Sequence, residues 1–431
     1  MRSLFFFCYN VVVLPVFWTL LHVAKIFNDK VRRGIEGREN LFQKLADGTS
    51  SMNSRHRIWF HVSSMGEYEQ AKPMIRALKE RHPDWRVIVS FFSPSGYDNS
   101  KLGKLADFIT YIPFDSTSNA KRFLDIVKPS LVIFVRYDLW PNHLLEIYRR
   151  GIPVLLVNAT LAPDSRRLLP IIRQFHHYIF NMLTSICTVS NTDADAFRSL
   201  ELHHPQIETI GDTRYDQVWQ RSLEGKQKHL FTEHVLQGKK VIVAGSTWSE
   251  DEEVLLPALK QIIHTRNDIL IVVVPHEPTL NTLERLERLF ENGKRCIRFS
   301  DMNDYDDEPV VVVDSVGILM GLYQYANVAY VGGSFKQGIH NVLEPAIYGI
   351  PVIFGPVYTN SQEALLLVQL GGASVIHTSE ECYQTLSTLL DSKEIQEKMG
   401  SIALSLVKNH IGATEKLIAH IEALLSTPST P

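Results

Sequence analysis

Residues 328–354 read VAYVGGSFKQGIHNVLEPAIYGIPVIF, and this stretch decides the fold class. An uninterrupted apolar run (VAYV) ends on Gly332 and Gly333. A polar loop follows, then a helix-forming segment from Asn341, then Gly349, Pro351 and a second apolar run. Buried strand, glycine turn, helix and buried strand together make the repeating unit of a parallel sheet with helices laid on its faces. The same rhythm runs outward in both directions. Apolar runs at 57–62, 86–92, 131–135, 153–158 and 185–189 lie upstream. Runs at 239–244, 269–274 and 310–313 lead up to the quoted stretch. Between the first two, residues 69–81 place Ala71, Met74, Ile75 and Leu78 on one helical stripe. The sequence therefore predicts an α/β protein built from doubly wound parallel sheets.

A chain of 431 residues is too long for one hydrophobic core to keep growing, so two domains are expected. The rhythm lapses around residues 211–228, where a short ETIG run gives way to polar sequence. The expected division is an anchor over residues 1–28, a first Rossmann-like domain over 29–216 and a second over 217–431. Two such domains facing each other would form a cleft at the carboxyl ends of their strands, where open α/β sheets bind ligands. The net charge of −3 and the lack of any long Lys/Arg block exclude a nucleic-acid surface. Cys8, Cys187, Cys296 and Cys382 are scattered without C-x-x-C spacing, which fits a reducing compartment rather than a disulfide framework or zinc site.

The amino terminus is of another kind. Residues 4–24, LFFFCYNVVVLPVFWTLLHVA, carry no Asp, Glu, Lys or Arg and are long enough to cross a bilayer. Lys25, Lys30, Arg32, Arg33 and Arg38 follow as a basic flank that keeps the rest of the chain on the cytoplasmic side. Asn10, Pro15 and His22 interrupt the run, so a helix lying in the headgroups is the alternative to a spanning one. A buried core helix is the ligand-free reading.

Several strand ends carry polar chemistry. Ser64-Met65-Gly66-Glu67 places a carboxylate in the first helical turn after a strand, where it can serve as a general base on an acceptor hydroxyl. Ser64-x-x-Glu67 is equally a capping box, which needs no ligand. Arg136-Tyr137-Asp138-Leu139-Trp140-Pro141-Asn142 follows another strand, as a ligand loop or as a surface ion pair with a packed Trp140. Ala244-Gly245-Ser246-Thr247 opens the second domain before the acidic residues Asp251, Glu252 and Glu253; the small hydroxyls suit a phosphate and the acids suit a first helical turn. In the stretch quoted first, the glycines admit a close ligand, Asn341 caps a helix end that can receive a phosphate, and Glu344 can grip a ribose diol. Pro275-His276 and Asp314-Ser315-Val316-Gly317 follow strands that would face the same cleft. No paired-His helix spacing is present and the cysteines are scattered, so no metal site is expected.

Taken in order behind an apolar amino terminus, S-x-G-E (64–67), D-L-W-P-N (138–142), N-A-x-L (158–161), A-G-S-T (244–247), V-G-G-S (331–334) and H-N-x-L-E (340–344) resemble the 3-deoxy-D-manno-octulosonic acid (Kdo) transferases over nearly the whole chain. The resemblance implies a GT-B architecture and an inverting transfer that uses no metal or other cofactor. The donor would be CMP-Kdo. The acceptor would be a lipid A precursor, lipid IVA, at the cytoplasmic face of the bacterial inner membrane. It implies Glu67 as catalytic base, and donor contacts at Pro275, His276, Val316, Gly317, Ile318, Asn341, Val342, Leu343 and Glu344. The chain departs from the family pattern at Arg136, where an acid is usual, at Asp138, where a glutamate is usual, and at His276, where a stronger base is usual.

Three other readings compete: a GT-B transferase using a UDP-sugar, a nucleotide-sugar epimerase of the same fold, and a non-catalytic membrane-surface scaffold. The membrane segment separates the second from a transferase. The need for Glu67 separates the third.

Overall fold

The computed structural model describes residues 2–100, 105–290 and 296–426. Strands β1 (Arg57–Val62), β2 (Arg86–Phe91), β3 (Phe108–Tyr111), β4 (Leu131–Val135), β5 (Val154–Ala159), β6 (Ser185–Thr188) and β7 (Gln206–Thr209) form one sheet, ordered 3-2-1-4-5-6-7. Strands β8 (Lys240–Thr247), β9 (Ile269–Pro275), β10 (Cys296–Arg298), β11 (Val310–Val312), β12 (Val328–Val331), β13 (Val352–Phe354) and β14 (Ala373–Val375) form the other, ordered 10-11-9-8-12-13-14. Every pairing is parallel. The long apolar runs are the central strands: all of β4, β5 and β9 is buried, as helices covering both faces require. Each fully buried Val, Leu or Ile there contributes about 1.5–3 kcal/mol, so a single charged residue in β9 would undo its layer.

Both sheets reverse direction at one place. In the first, the chain leaves β1 toward β2 on one side and later returns to β4 on the other. In the second, β8 and β12 stand in that relation. Such switch points leave a crevice at the carboxyl ends of the two central strands, which is where doubly wound folds bind ligands. Ser64, Glu67 and Asp138 follow β1 and β4. Trp248, Gly332 and Gly333 follow β8 and β12.

The chain divides into two compact units, Met1–Gln217 with Ile411–Pro431, and Val218–His410. The boundary falls one residue from the expected one, but the segment after residue 410, expected in the second domain, belongs to the first. The reason is physical. In the helix Ala413–Ser426, Leu417, Ile418 and Ile421 are fully buried in the first unit's core, beside Met74, Ile75 and Leu78. Asp216 caps that helix, accepting from the backbone of Gly412 and Thr414 and from the Thr414 hydroxyl, each at 2.7 Å. His82 pairs with Glu422 at 2.8 Å on the flank.

The amino-terminal segment is helical throughout, as Arg2–Cys8, a wide π turn Tyr9–Val13 and Leu14–Phe27. The wide turn immediately precedes Pro15, which has no N–H to return to a carbonyl one turn back. Asn28 ends the run, and its side chain caps the next helix, Asp29–Glu36. The helix Leu4–Phe27 is long and apolar enough to cross a membrane.

Candidate active site

In the first unit, β1 delivers the chain into the helix Met65–Arg81, whose third residue is Glu67. Its Oε2 accepts the backbone N–H of Ser63 and of Ser64, the latter at 3.1 Å. Its Oε1 takes no hydrogen bond or ion pair from the described residues. The carboxylate is half-buried, and its pKa is raised. Burial is the main cause and the nearby Asp138 charge adds to it, against the pull of the two N–H groups. The carboxyl is therefore held in place by one oxygen while the other stays open and more basic than an ordinary glutamate. Gly66 is exposed, and a side chain there would meet only Ser64 Oγ at 3.9 Å. Its lack of a side chain keeps that approach open; no crowding within the chain demands it.

Asp138 is held by a relay that begins in the core. Trp59 Nε1 donates to Ser90 Oγ at 2.8 Å, Ser90 Oγ lies 2.8 Å from His61 Nδ1, and His61 Nε2 lies 3.0 Å from Asp138 Oδ2. Because the Asp138 carboxylate only accepts, His61 donates to it from Nε2. Burial raises the Asp138 pKa, but donation from His61, Ser63 and Trp140 outweighs it and the carboxyl ends below its usual range. Asp138 thus stays charged beside the more basic Glu67. Arg136, the departure from the family pattern, takes a left-handed backbone (φ 67°), as does Asn158 (φ 51°) at the end of β5. Strain of this kind on non-glycine residues is concentrated at functional edges. Asn158 itself is internal: it bonds Gln70 Oε1 at 3.1 Å and Thr213 Oγ1 at 2.7 Å, tying three elements together rather than facing a ligand.

In the second unit, Ser246, next to last in β8, takes φ 55°, and a Cβ on Gly332 would lie 2.2 Å from the Ser246 carbonyl oxygen. The strand ends touch, so only glycine fits at position 332. Gly333 (φ 87°) turns the chain away beside them. Asp251, third in the helix Ser249–Thr265, accepts from Trp248 N at 2.9 Å, Gly333 N at 2.7 Å and Tyr330 Oη at 2.8 Å. Glu252 is bonded by Thr247 Oγ1 at 2.9 Å and ion-paired to Arg285. The first two residues of the acidic run are thus spent on fixing the loop. Above it, His276 stacks on both Trp248 and His340, with 4.5 Å between ring centroids in each pair. Trp248 Nε1 donates to His340 Nε2 at 2.8 Å, which leaves the His340 proton on Nδ1. Burial, and then His276, push His340 down to about 4.

The remaining predicted donor contacts are distributed around this stack. Pro275 is buried at the end of β9, and His276 next to it is exposed as the ring that covers the other two. Val316 is 78% exposed and Gly317 turns at φ 81°, ahead of Ile318 and the short helix Leu319–Leu322. The helix expected to open at Asn341 is a single turn, Leu343–Ala346, because Pro345 has no N–H and Gly349 soon follows. Asn341 Oδ1 accepts Leu343 N at 3.2 Å and its Nδ2 reaches Glu344 Oε1 at 3.3 Å; Val342 and Leu343 are buried. Glu344 Oε1 also meets Arg221 at 3.2 Å. Sequence reasoning assigned no role to Trp248, His340 or His61. The trace of Trp248 and His61 was an aromatic or imidazole residue directly after, or at the end of, a strand, and His340 opened the H-N-x-L-E motif.

Comparison with known proteins identifies the family and the fold. The sequence model of the 3-deoxy-D-manno-octulosonic-acid transferase family matches residues 38–217, which hold the Glu67 site. A 3-deoxy-D-manno-octulosonic acid transferase of Haemophilus influenzae is 27% identical, over 87% of this chain and 90% of its own length. One of Rickettsia felis is 30% identical, over 78% of this chain and 72% of its own. Among solved structures, a UDP-GlcNAc 2-epimerase from Neisseria meningitidis superposes with a TM-score of 0.60 over 86% of this chain and 100% of its own, at 16% identity, a likeness of fold. The chain belongs to the 3-deoxy-D-manno-octulosonic acid (Kdo) transferases, a family of glycosyltransferases.

Proposed function

We propose that this chain transfers Kdo from CMP-Kdo to lipid IVA at the cytoplasmic face of the inner membrane, with inversion and without a metal ion or other cofactor. Kdo transfer in lipopolysaccharide synthesis, a membrane-associated process, is the family's reaction. The observation that carries the residue-level reading is Glu67: a carboxylate at a switch point, fixed through one oxygen, open at the other, and raised in basicity. Its open oxygen takes the proton of a lipid glucosamine hydroxyl as that oxygen bonds to the anomeric carbon of Kdo. The bond from that carbon to the CMP phosphate oxygen breaks, and CMP leaves with the electron pair.

The donor is held by the second unit. Pro275, His276, the Val316–Gly317–Ile318 turn and residues 341–344 supply its contacts, and His340 Nδ1–H and Trp248 border the same strand ends. Hydrogen-bond donors already in place where phosphate charge grows are worth more than donors that must reorganise. A membrane-bound enzyme suits an acceptor that cannot leave the bilayer.

Thermal protection tests the donor class. CMP is expected to raise the melting temperature while UDP leaves it unchanged. Protection by UDP instead would favour the alternative, a membrane-associated transferase of a UDP-sugar.

A further inference from the structure

Two polar residues of the amino-terminal helix, Tyr9 and Asn10, are bonded to the body of the first unit. Tyr9 Oη donates to Asp115 Oδ2 at 2.9 Å. Asn10 and Asn142 exchange amide hydrogen bonds, Asn10 Nδ2 to Asn142 Oδ1 at 3.2 Å and Asn142 Nδ2 to Asn10 Oδ1 at 2.9 Å. The receiving site is built into the fold. Asp115 is 1% exposed and also accepts Asn142 N and His143 N, both at 2.9 Å, and His143 Nδ1 at 2.5 Å. Aromatic contacts extend the seat along the helix. Phe5 packs on Phe175 at 4.8 Å between centroids, and Phe17 lies 6.2 Å from Trp140 and 6.4 Å from Phe92.

From Phe5 to Phe17 the helix rises about 18 Å, more than half of a hydrocarbon core of about 30 Å. A helix crossing the bilayer would carry these residues into hydrocarbon and would have to leave Asp115, Asn142 and Trp140 behind. Docking and crossing therefore exclude each other. We propose that Tyr9 and Asn10 latch the helix flat against the first unit, so that it enters one leaflet without spanning the membrane. The opposite face fits that placement. Leu4, Phe7, Val12, Val16, Leu20 and Phe27 are each more than half exposed. Lys30, Arg32 and Arg33 are exposed at its end, where anionic headgroups lie. The latch also ties the membrane seat to residues 138–142, since Asn142 and Trp140 belong to both.

The inference needs a bilayer and not a particular donor, so it is tested by topology rather than turnover. With Cys8→Ser in place, a Ser3→Cys variant is produced in cells and recovered in inverted inner-membrane vesicles, cytoplasmic face outward. A membrane-impermeant maleimide is expected to label position 3 equally with and without detergent; labelling only after detergent means the helix crosses and overturns the proposal. In a second variant, Asn10→Cys with Asn142→Cys, mild oxidation of the same vesicles is expected to close a 10–142 disulfide. Failure to form it while the chain stays membrane-bound would overturn the latch.

Discussion

Glu67 and Asp251 occupy the same place in their respective units. Each is the third residue of the helix that follows the first strand of its sheet, and each accepts the backbone N–H of the residue that caps that helix. In both, burial raises the pKa. What separates them is the other oxygen. Asp251 Oδ1 is filled by Tyr330 and its Oδ2 also binds Gly333 N, whereas Glu67 Oε1 has no hydrogen-bond or ion-pair partner among the described residues. One local motif thus serves a structural end in one unit and exposes a base in the other. The capping geometry cannot distinguish the two uses; the unfilled oxygen can.

The contrast makes its largest demand on Glu67→Gln. The amide keeps size and one acceptor but cannot take a proton, so kcat should fall about 10²–10⁴-fold, with donor protection in a melting assay unchanged. Near-normal turnover would reduce Glu67 to a cap. Asp251→Ala should do the reverse. It leaves two backbone N–H groups and a buried hydroxyl unpaired, and should cost about 2–4 kcal/mol of second-unit stability in denaturant unfolding. An undiminished midpoint would show that the loop does not depend on this clasp.

Asp138→Asn sharpens the comparison from the other side. Its charge helps hold Glu67 above the ordinary range, so removing it lowers the Glu67 pKa. The acidic limb of the kcat/KM profile should then move to lower pH. A limb that stays put would show that Glu67 does not feel that charge. The smallest effect concerns His340. Its folded pKa of about 4 lies below the unfolded 6.5, so the unfolded chain binds the extra proton first. The stability from neutral His340 is complete above 6.5 and drains away as pH falls toward 4. His340→Asn should flatten that part of the stability curve, and an unchanged slope would assign it to other groups.

The central strands were legible because parallel strands buried on both faces read as unbroken apolar runs. The edges were not. β3, β10 and β14 span three or four residues and are only partly buried, so FITY, CIR and ASV carry no such run. The carboxyl-terminal helix was misplaced because its partners, Asp216 and the 74–78 stripe, lie some 200 to 340 residues earlier in the chain. At the site, Glu67 could be read from the start of one helix. The relay behind Asp138 could not, since His61 and Asp138 are 77 positions apart and meet only because β1 and β4 are neighbours. The three-ring stack joins the ends of three separate elements for the same reason.

The most direct test of the account is product formation: purified chain, CMP-Kdo and lipid IVA, read by mass spectrometry beside a Glu67→Ala control. The account predicts a mass increase of whole Kdo units with the native chain and none with the control. No product from the native chain, or equal product from both, would contradict it.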